Sequence, residues 1–480
     1  MRIIGPSLME WPSRVRTLFP VALAGLGATT VVAPPLVGWS ALRLARSVSA
    51  AESNRARALS VGVGVGAGVA VAGLVAGSVV ARRRFLTNTA NAARDLDPGF
   101  RERPASPLVS TGPGSLVDPR GVGREGARYV GTATTGDDVR FVTGADPIAE
   151  PIRVFVGLDA GSSVQQRVDL AMAELRRTGA FDRSHLVIQA PAGTGYANAT
   201  PVDVVELLSR GDCASVAVGY GLLPSFLSLN RVDLARRTQQ ALLEAIAAEC
   251  DSRGRRSAGS ERSERSERSE RSGRPRLLLY GESLGAKVQQ AALEAGVADL
   301  DRLGIDAALW VGTPGGVDYD DVHRAFDPVA VTLDRPEQME QVLRERPTPR
   351  VWFLEHDGDP VVRFRPDLAH TRPRWLSPAQ GRGVPPDMQW RMGVTWAQVL
   401  VDTLYATDMS PGDFRSHGHD YRADLGAVVT EAFGLAPVDA QDGWVDRRER
   451  RLRELEVRRA EQVRGSLETQ RPRAPEAASP

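Results

Sequence analysis

The sequence has almost no lysine or cysteine, and its charges balance. Its 480 residues carry 60 lysines and arginines against 59 aspartates and glutamates, a formal net charge of +1, and Lys287 is the only lysine. This balance provides no basic surface for nucleic acid, so no nucleic-acid partner is expected. Cys213 and Cys250 are too few and too far apart for a disulfide framework, and they have no metal-ligand spacing. The cysteines therefore indicate no metal site, and no metal or organic cofactor is expected.

Two uncharged segments precede the rest of the chain. Thr17–Leu42 and Ala58–Ala81 are each long enough to cross the roughly 30 Å hydrocarbon core as a helix. The second repeats glycine at four-residue spacing, which lets helices approach closely in lipid, although a glycine-rich buried helix of a soluble domain is the alternative. The pattern predicts a transmembrane hairpin in a multi-pass protein of the cell membrane. Flanking arginines favour a cytoplasmic position for both ends, and so for the large domain.

Beyond Pro151 the chain alternates short apolar segments with amphipathic ones. The predicted strands are Ile152–Leu158, His185–Gln189, Ala214–Val218, Arg276–Tyr280, Ala307–Val311 and Val351–Leu354. The main predicted helices are Val164–Arg177, Val202–Leu208 and Val232–Cys250. Apolar strands separated by helices are typical of an α/β fold with a mostly parallel sheet and helices on both faces.

Composition shifts divide the chain into four parts. They are an anchor (1–87), a linker or entry segment (88–145), an α/β domain (146–440) and a charged, largely disordered tail (441–480), in which Arg447–Val463 is a possible exposed helix. The linker contains two possible edge strands, Arg128–Val130 and Val139–Val142. Inside the α/β domain, 253–273 is a low-complexity insertion with repeated Glu-Arg-Ser, which has nothing to bury. Within residues 363–411, rich in tryptophan and methionine, Val394–Leu404 is predicted to be a core helix, and the rest to include a lid or an apolar substrate wall.

One short motif suggests the chemistry. The apolar segment Arg276–Tyr280 leads into Gly281-Glu282-Ser283-Leu284-Gly285 and then a helical pattern. G-x-S-x-G between a strand and a helix is the spacing of a nucleophile elbow, which presents a serine hydroxyl above the sheet. The alternative is an ordinary strand–glycine–helix connection. We take Ser283 as the candidate nucleophile.

A serine nucleophile needs a base to accept its proton and an acid to orient that base. After the strand at Val351–Leu354, Asp359 is the preferred acid and Asp357 the alternative, although Asp-Gly-Asp-Pro is also good turn chemistry. His419 is the preferred base and His417 the second choice; in a strand both would lie on the same face, so the sequence does not separate them. A metal site at this pair lacks further ligands at suitable spacing.

The transition state would also need donors for the developing oxyanion. The backbone N–H of Leu284, directly after the nucleophile, is the first candidate. The turn that follows the first strand, with Asp159 and Gly161, is the candidate for the second donor. A plain glycine-containing turn explains those two residues equally well.

These motifs together resemble the actinobacterial membrane-anchored α/β-hydrolase family, from the N-terminal segments to about Leu435. The residues that carry the resemblance are Val156–Asp159, Gly193–Tyr196, Tyr280–Gly285, Asp359–Pro360, and Gly418, His419 and Tyr421. It implies an α/β-hydrolase-like sheet behind the membrane helices, and a triad at Ser283, Asp359 and His419. The family pattern has glycine where Ser416 stands here.

The expected function is a membrane-anchored serine hydrolase, esterase- or lipase-like, that cleaves a small-molecule or lipid acyl ester through an acyl-enzyme. An acyltransferase with the same triad is the first alternative, because both reactions share that intermediate. The second is a non-catalytic, membrane-anchored binding protein. It would be favoured if neither His417 nor His419 could approach Ser283.

Overall fold

The structure, a computed structural model, describes residues 77, 80–81, 83–222, 232–260, 274–316, 318–376, 381–406, 410–437 and 441–468. The described residues from Ala93 onward belong to a larger compact unit, and the described residues before Ala93 belong to a smaller one. In the smaller unit, residues 83–92 are helical. The larger unit contains the sheet and every candidate site residue.

A parallel sheet forms the centre of the larger unit. Its strands are β1 (Ile152–Val156), β2 (His185–Ala190), β3 (Cys213–Val218), β4 (Arg276–Glu282), β5 (Ile305–Val311), β6 (Ala330–Leu333) and β7 (Val351–Leu354). They lie in the order β1-β3-β2-β4-β5-β7-β6, and every neighbouring pair is parallel. The carboxyl ends of all strands therefore meet at one edge, where sites of open α/β sheets assemble.

Helices supply the outer layers and the connections. They are α1 (Pro119–Val130), α2 (Gly136–Thr143), α3 (Val164–Arg177), α4 (Ala199–Leu208), α5 (Val232–Ser260), α6 (Leu284–Ala292), α7 (Val297–Arg302), α8 (Tyr319–Phe326), α9 (Met339–Glu345), α10 (Pro360–Arg363), α11 (Val394–Tyr405), α12 (Arg422–Ala432) and α13 (Trp444–Glu468). Successive residues of β4 alternate between two apolar cores: Leu277 and Leu279 pack with α3, α5 and α6, whereas Leu278 and Tyr280 pack with α4 and α12. The strand thus buries both faces, as its unbroken apolar run predicts.

The predicted parallel sheet is confirmed, with each predicted strand within two residues of its observed bounds. The sequence analysis missed β6. This strand has only four residues, and Thr332 within it is exposed, so no apolar run marked it.

The prediction of a linker with edge strands is wrong for residues 119–143, which form α1 and α2. Asp118 caps α1 by accepting from the Arg120 N–H at 2.7 Å, and Thr135 forms a capping box with Asp138 at α2. These caps favour helices, which then bury Val130 and Val142 in the core. Local capping outweighed the short apolar runs that suggested strands.

The possible helix at Arg447–Val463 is confirmed as part of α13 (Trp444–Glu468), so the prediction of a largely disordered tail is wrong for that range, and the helix is not exposed along its whole length. Leu452 and Leu455 are buried. Arg459 donates to both carboxylate oxygens of Asp203 at 2.6 Å, and Asp203 also pairs with the fully buried Arg153. Charges that appear solvated in the sequence thus pair with distant carboxylates across the fold.

Among the described residues, no helix combines the length and apolar character that crossing a bilayer requires. The predicted membrane segments lie outside those residues, apart from Gly77, Val80 and Ala81. The predicted insertion 253–273 begins inside α5, and 261–273 also lie outside the described residues.

Candidate active site

Ser283 stands at a strained turn between β4 and α6. Its backbone has φ +53° and ψ −124°, a conformation that residues other than glycine rarely adopt. In the described part of the chain only Thr111 and Arg210 share a positive φ among non-glycine residues. Such strain costs about 1–3 kcal/mol and is found at functional sites. A serine held in this conformation between a strand and a helix matches the nucleophile elbow.

The glycines on either side of Ser283 permit this turn. A Cβ atom on Gly281 would lie 2.7 Å from Cα of Ala286, and one on Gly285 would lie 2.2 Å from the carbonyl oxygen of Ala190. Both obstacles are backbone atoms that cannot move aside. The two glycines of the motif are therefore required for close packing of α6 against β4 and the end of β2.

Asp359 and His419 form a buried pair. Asp359 follows β7 and is fully buried, and His419 is 5% exposed. Nδ1 of His419 lies 2.7 Å from Oδ2 of Asp359, and the other carboxylate oxygen accepts from the Val361 N–H at 2.8 Å. In this contact Nδ1 is the donor, so Nε2 is the ring nitrogen that can accept a proton on the other side of the imidazole.

The environment sets the charge of both partners. Burial alone would raise the pKa of the Asp359 carboxyl, but the charge of His419 and hydrogen bonds from His419, Tyr421 and Val361 lower it below its ordinary range. Burial alone would lower the pKa of His419, yet the Asp359 carboxylate outweighs that effect and raises it. An ionised Asp359 thus stabilises the imidazolium that a general base becomes.

His419 lies beside the strand end next to the serine. The Ser283 N–H donates to the carbonyl oxygen of Val311 at 2.8 Å. The next residue, Gly312, has φ +57°, and a Cβ atom there would lie 2.8 Å from Cε1 of His419. The imidazole therefore packs against the residue that follows the backbone partner of Ser283. The structure brings Ser283, His419 and Asp359 to the same edge of the sheet.

The alternative base and acid lie elsewhere. His417 is exposed and forms a backbone bridge with Asp420. Asp357 is half-buried and pairs with Arg363 at 2.8 Å. The segment around His419 is a tight turn rather than a strand, so the two histidines do not share a face. Among the described residues, neither His417 nor Asp357 forms a side-chain hydrogen bond or ion pair with His419 or Asp359.

Of the candidate oxyanion donors, one lies beside Ser283 and the others lie far from it. Leu284 is the first residue of α6, so its N–H has no acceptor within the helix. Asp159 and Gly161 follow β1, which β3 and β2 separate from β4; three strand spacings amount to about 14 Å. Asp159 pairs with Arg94 at 2.6 Å. The structure therefore does not bring this turn to Ser283.

The loop after β2 is in the position that the turn after β1 was expected to hold. β2 is hydrogen-bonded to β4, with Ala190 opposite Gly281, and Ala190 contacts the elbow. The loop contains Gly193 and Gly195, and the Gly195 N–H donates to the Ala192 carbonyl at 2.9 Å. Residues 191–195 are thus the backbone segment that adjoins the elbow. The sequence analysis noted Gly193–Tyr196 within the resemblance but gave the loop no role, and the strand order places it beside the elbow.

Two further residues complete the surroundings of the pair. The Tyr421 hydroxyl donates to Oδ2 of Asp359 at 2.6 Å, and burial raises the pKa of Tyr421 far above its ordinary value, so it remains a donor. Glu282 accepts hydrogen bonds from Tyr280 and Asn198, and its charge contributes to the raised pKa of His419. The motif residues His419-x-Tyr421 were noted in the sequence, but no role for Tyr421 was inferred.

Among the described residues, no group of three or more histidine, cysteine or acidic side chains is arranged to hold a metal ion. A protein-family model described as the alpha/beta-hydrolase family matches residues 152–452, which is more than half of the chain. No curated protein and no solved structure gives a significant match.

Proposed function

The chain belongs to the alpha/beta-hydrolase family, and on that basis we propose that it is a serine hydrolase that cleaves acyl esters. The observation that supports the proposal most is the combination of a strained Ser283 with a buried His419–Asp359 pair at the same sheet edge. A strained serine alone, or a buried ion pair alone, occurs in many folds. Together they are the arrangement that activates a hydroxyl for attack on a carbonyl.

In the proposed reaction the Ser283 hydroxyl oxygen attacks the ester carbonyl carbon, and Nε2 of His419 takes the hydroxyl proton. The Leu284 N–H, with a donor from loop 191–195, stabilises the oxyanion. The carbon–oxygen bond to the leaving alcohol then breaks, and His419 returns the proton to that oxygen. Water attacks the acyl-enzyme with the same proton relay, which releases the acid and restores Ser283.

A fluorophosphonate probe tests this proposal directly. We expect it to label the full-length protein on Ser283, as mapped by mass spectrometry, and we expect Ser283→Ala to abolish both labelling and hydrolysis of soluble esters. Ser162→Ala is the matched control, because it changes a serine in the glycine turn after β1. Labelling that survives in Ser283→Ala, or folded wild-type protein that does not react, would refute the proposal.

The acceptor is a separate question, because transfer to an alcohol uses the same acyl-enzyme. Product analysis with a panel of acyl esters, in water with and without added alcohols, separates the two reactions. Free acid as the main product at modest alcohol concentration supports a hydrolase, whereas a dominant ester product supports an acyltransferase.

The proposal includes an apolar or lipid acyl substrate and a membrane anchor. The uncharged segments Thr17–Leu42 and Ala58–Ala81 support the anchor, and their flanking arginines favour a cytoplasmic catalytic domain. Helix α11, which the sequence predicted to be a core helix, is buried on one side only and adds a second argument. Val394, Val401 and Tyr405, on one face of α11, are each about half exposed.

Helix α11 packs on α10, since the Thr403 hydroxyl donates to the carbonyl oxygen of Pro360 at 3.2 Å, and its apolar face lies on the opposite side of the helix from Thr403. Asp359 directly precedes Pro360. An exposed apolar surface on a helix beside the site suits contact with the lipid phase that contains the substrate.

Val401→Asp tests the contribution of this face. We expect hydrolysis of long-chain esters in vesicles or micelles to fall about tenfold, because burial of a valine side chain contributes about 1.5 kcal/mol. Hydrolysis of a soluble short-chain ester should not change. Val445→Asp is the control, since Val445 is similarly exposed (44%, against 49% for Val401) but belongs to α13. Equal losses in both variants, or on both substrates, would contradict an interfacial role for α11.

A further inference from the structure

A second histidine–carboxylate pair lies beside the first. His356, two residues beyond the end of β7, is 1% exposed. Its Nε2 lies 2.7 Å from Oδ2 of Asp424, and its Nδ1 lies 2.7 Å from the carbonyl oxygen of Gly418. The proposed mechanism gives no task to this buried group.

The partners of His356 determine its hydrogen bonding. A carbonyl oxygen accepts only, so Nδ1 of His356 is the donor to Gly418, while Nε2 faces the carboxylate of Asp424. The Ser416 hydroxyl also donates to Oδ2 of Asp424 at 2.6 Å, which fits an ionised carboxylate. Buried charges persist where they are paired and fully hydrogen-bonded. His356 thus holds two fixed acceptors from a different part of the chain.

One of those acceptors belongs to the residue that precedes His419. Gly418 has φ +57°, a conformation that only glycine adopts easily, and its carbonyl is held by His356. The direction of the next peptide, and with it the His419 side chain, therefore depends on this contact. The other acceptor of His356 is Asp424, which lies in α12 and is not a residue of the proposed site.

Tyr421 joins the two pairs. Its ring stacks on His356 with centroids 3.9 Å apart, and it meets the His419 ring edge-on at 5.7 Å. The His356 backbone N–H donates to the Tyr421 oxygen at 3.0 Å, while the same hydroxyl donates to Asp359. The Tyr421 hydroxyl thus links the loop that carries His419 to the loop that carries Asp359, through the Asp359 carboxylate and through the backbone N–H of His356.

We propose that His356 is a positioning residue: its Nδ1 donor holds the Gly418 carbonyl and thereby aims His419 between Asp359 and Ser283. This inference rests on the proposed function of Ser283 and His419. It distinguishes the two contacts of His356. The bond to Gly418 serves the reaction, whereas the bond to Asp424 serves only the stability of the fold.

Two substitutions separate these contacts. The amide nitrogen of asparagine can replace Nδ1 and keep the donor to Gly418, whereas that of glutamine can replace Nε2 and keep the donor to Asp424. We expect His356→Gln to lower kcat on the order of 10- to 100-fold with KM nearly unchanged, as a small misplacement of a catalytic group does. We expect His356→Asn to retain kcat within about threefold.

The pH profile provides a readout that a purely structural role would not move. In His356→Gln a loosened His419–Asp359 contact weakens the main influence that raises the pKa of His419, so the acid limb of kcat/KM should shift to lower pH. In His356→Asn that limb should stay in place. Thermal unfolding of both variants records the stability that each has lost, independently of turnover.

Equal losses of kcat in the two variants, or an unchanged kcat and pH profile in His356→Gln, would overturn the inference. If His356→Gln does not fold, Asp424→Asn decides, because it keeps the Gly418 contact: a tenfold loss of kcat there overturns the inference, and near-normal kcat supports it. The wild-type probe reaction keeps the two proposals apart. Ser283-dependent labelling with normal His356 variants refutes only the positioning role, whereas absent wild-type labelling refutes the proposed function.

Discussion

His419→Ala is expected to lower kcat by about a million-fold, because the members of such a triad act as a unit and loss of the base removes the advantage of the nucleophile. His417→Ala should leave kcat within about twofold, since surface substitutions away from special features have small effects. The two histidines stand two positions apart, but only His419 is buried against Asp359. Steady-state kinetics on a soluble ester compares them directly.

The comparison between the two histidines is informative in either direction. A large loss in His417→Ala with a small one in His419→Ala would reject the assignment of the base. Fluorophosphonate labelling of each variant gives a second measure of nucleophile activation, because the rate of labelling should follow the same order as kcat. Circular dichroism provides the control for His419→Ala, which is expected to label very slowly.

Asp359→Asn is expected to lower kcat by about 10⁴-fold, because an amide cannot hold the imidazole in the correct tautomer. Asp357→Asn, the matched control, removes a carboxylate that pairs with Arg363 and should change kcat only slightly. Both substitutions are nearly isosteric, which limits differences in packing. Kinetics over a range of pH measures the effect.

The pH dependence of Asp359→Asn should shift in a defined direction. The base must be neutral to accept the Ser283 proton, so activity falls as the pH drops through the pKa of His419, which Asp359 raises. Removal of the carboxylate charge lowers that pKa, so the residual activity of Asp359→Asn should persist to lower pH than the wild-type activity. An acid limb that does not move, or moves to higher pH, would contradict the proposed role of Asp359.

Tyr421 illustrates what the sequence concealed. The residue lies in a motif that was noted at once, yet its hydroxyl bonds to Asp359, 62 positions away, and its ring stacks on His356. The same applies to Arg459, whose partner Asp203 is 256 positions away. Neither partnership leaves a local pattern, because a hydrogen bond across the fold constrains two residues and not their neighbours.

The sequence alone determined the parallel sheet, most of its strands and the elbow at Ser283. These features are local: an apolar run marks a strand buried on both faces, and the close approach of α6 to β4 and β2 requires Gly281 and Gly285. Only the tertiary structure decided which histidine meets which aspartate, and that the loop after β2 rather than the turn at Asp159 adjoins the elbow. Those contacts depend on the order β1-β3-β2-β4 and on loops that converge from distant positions, and a one-dimensional pattern does not encode either.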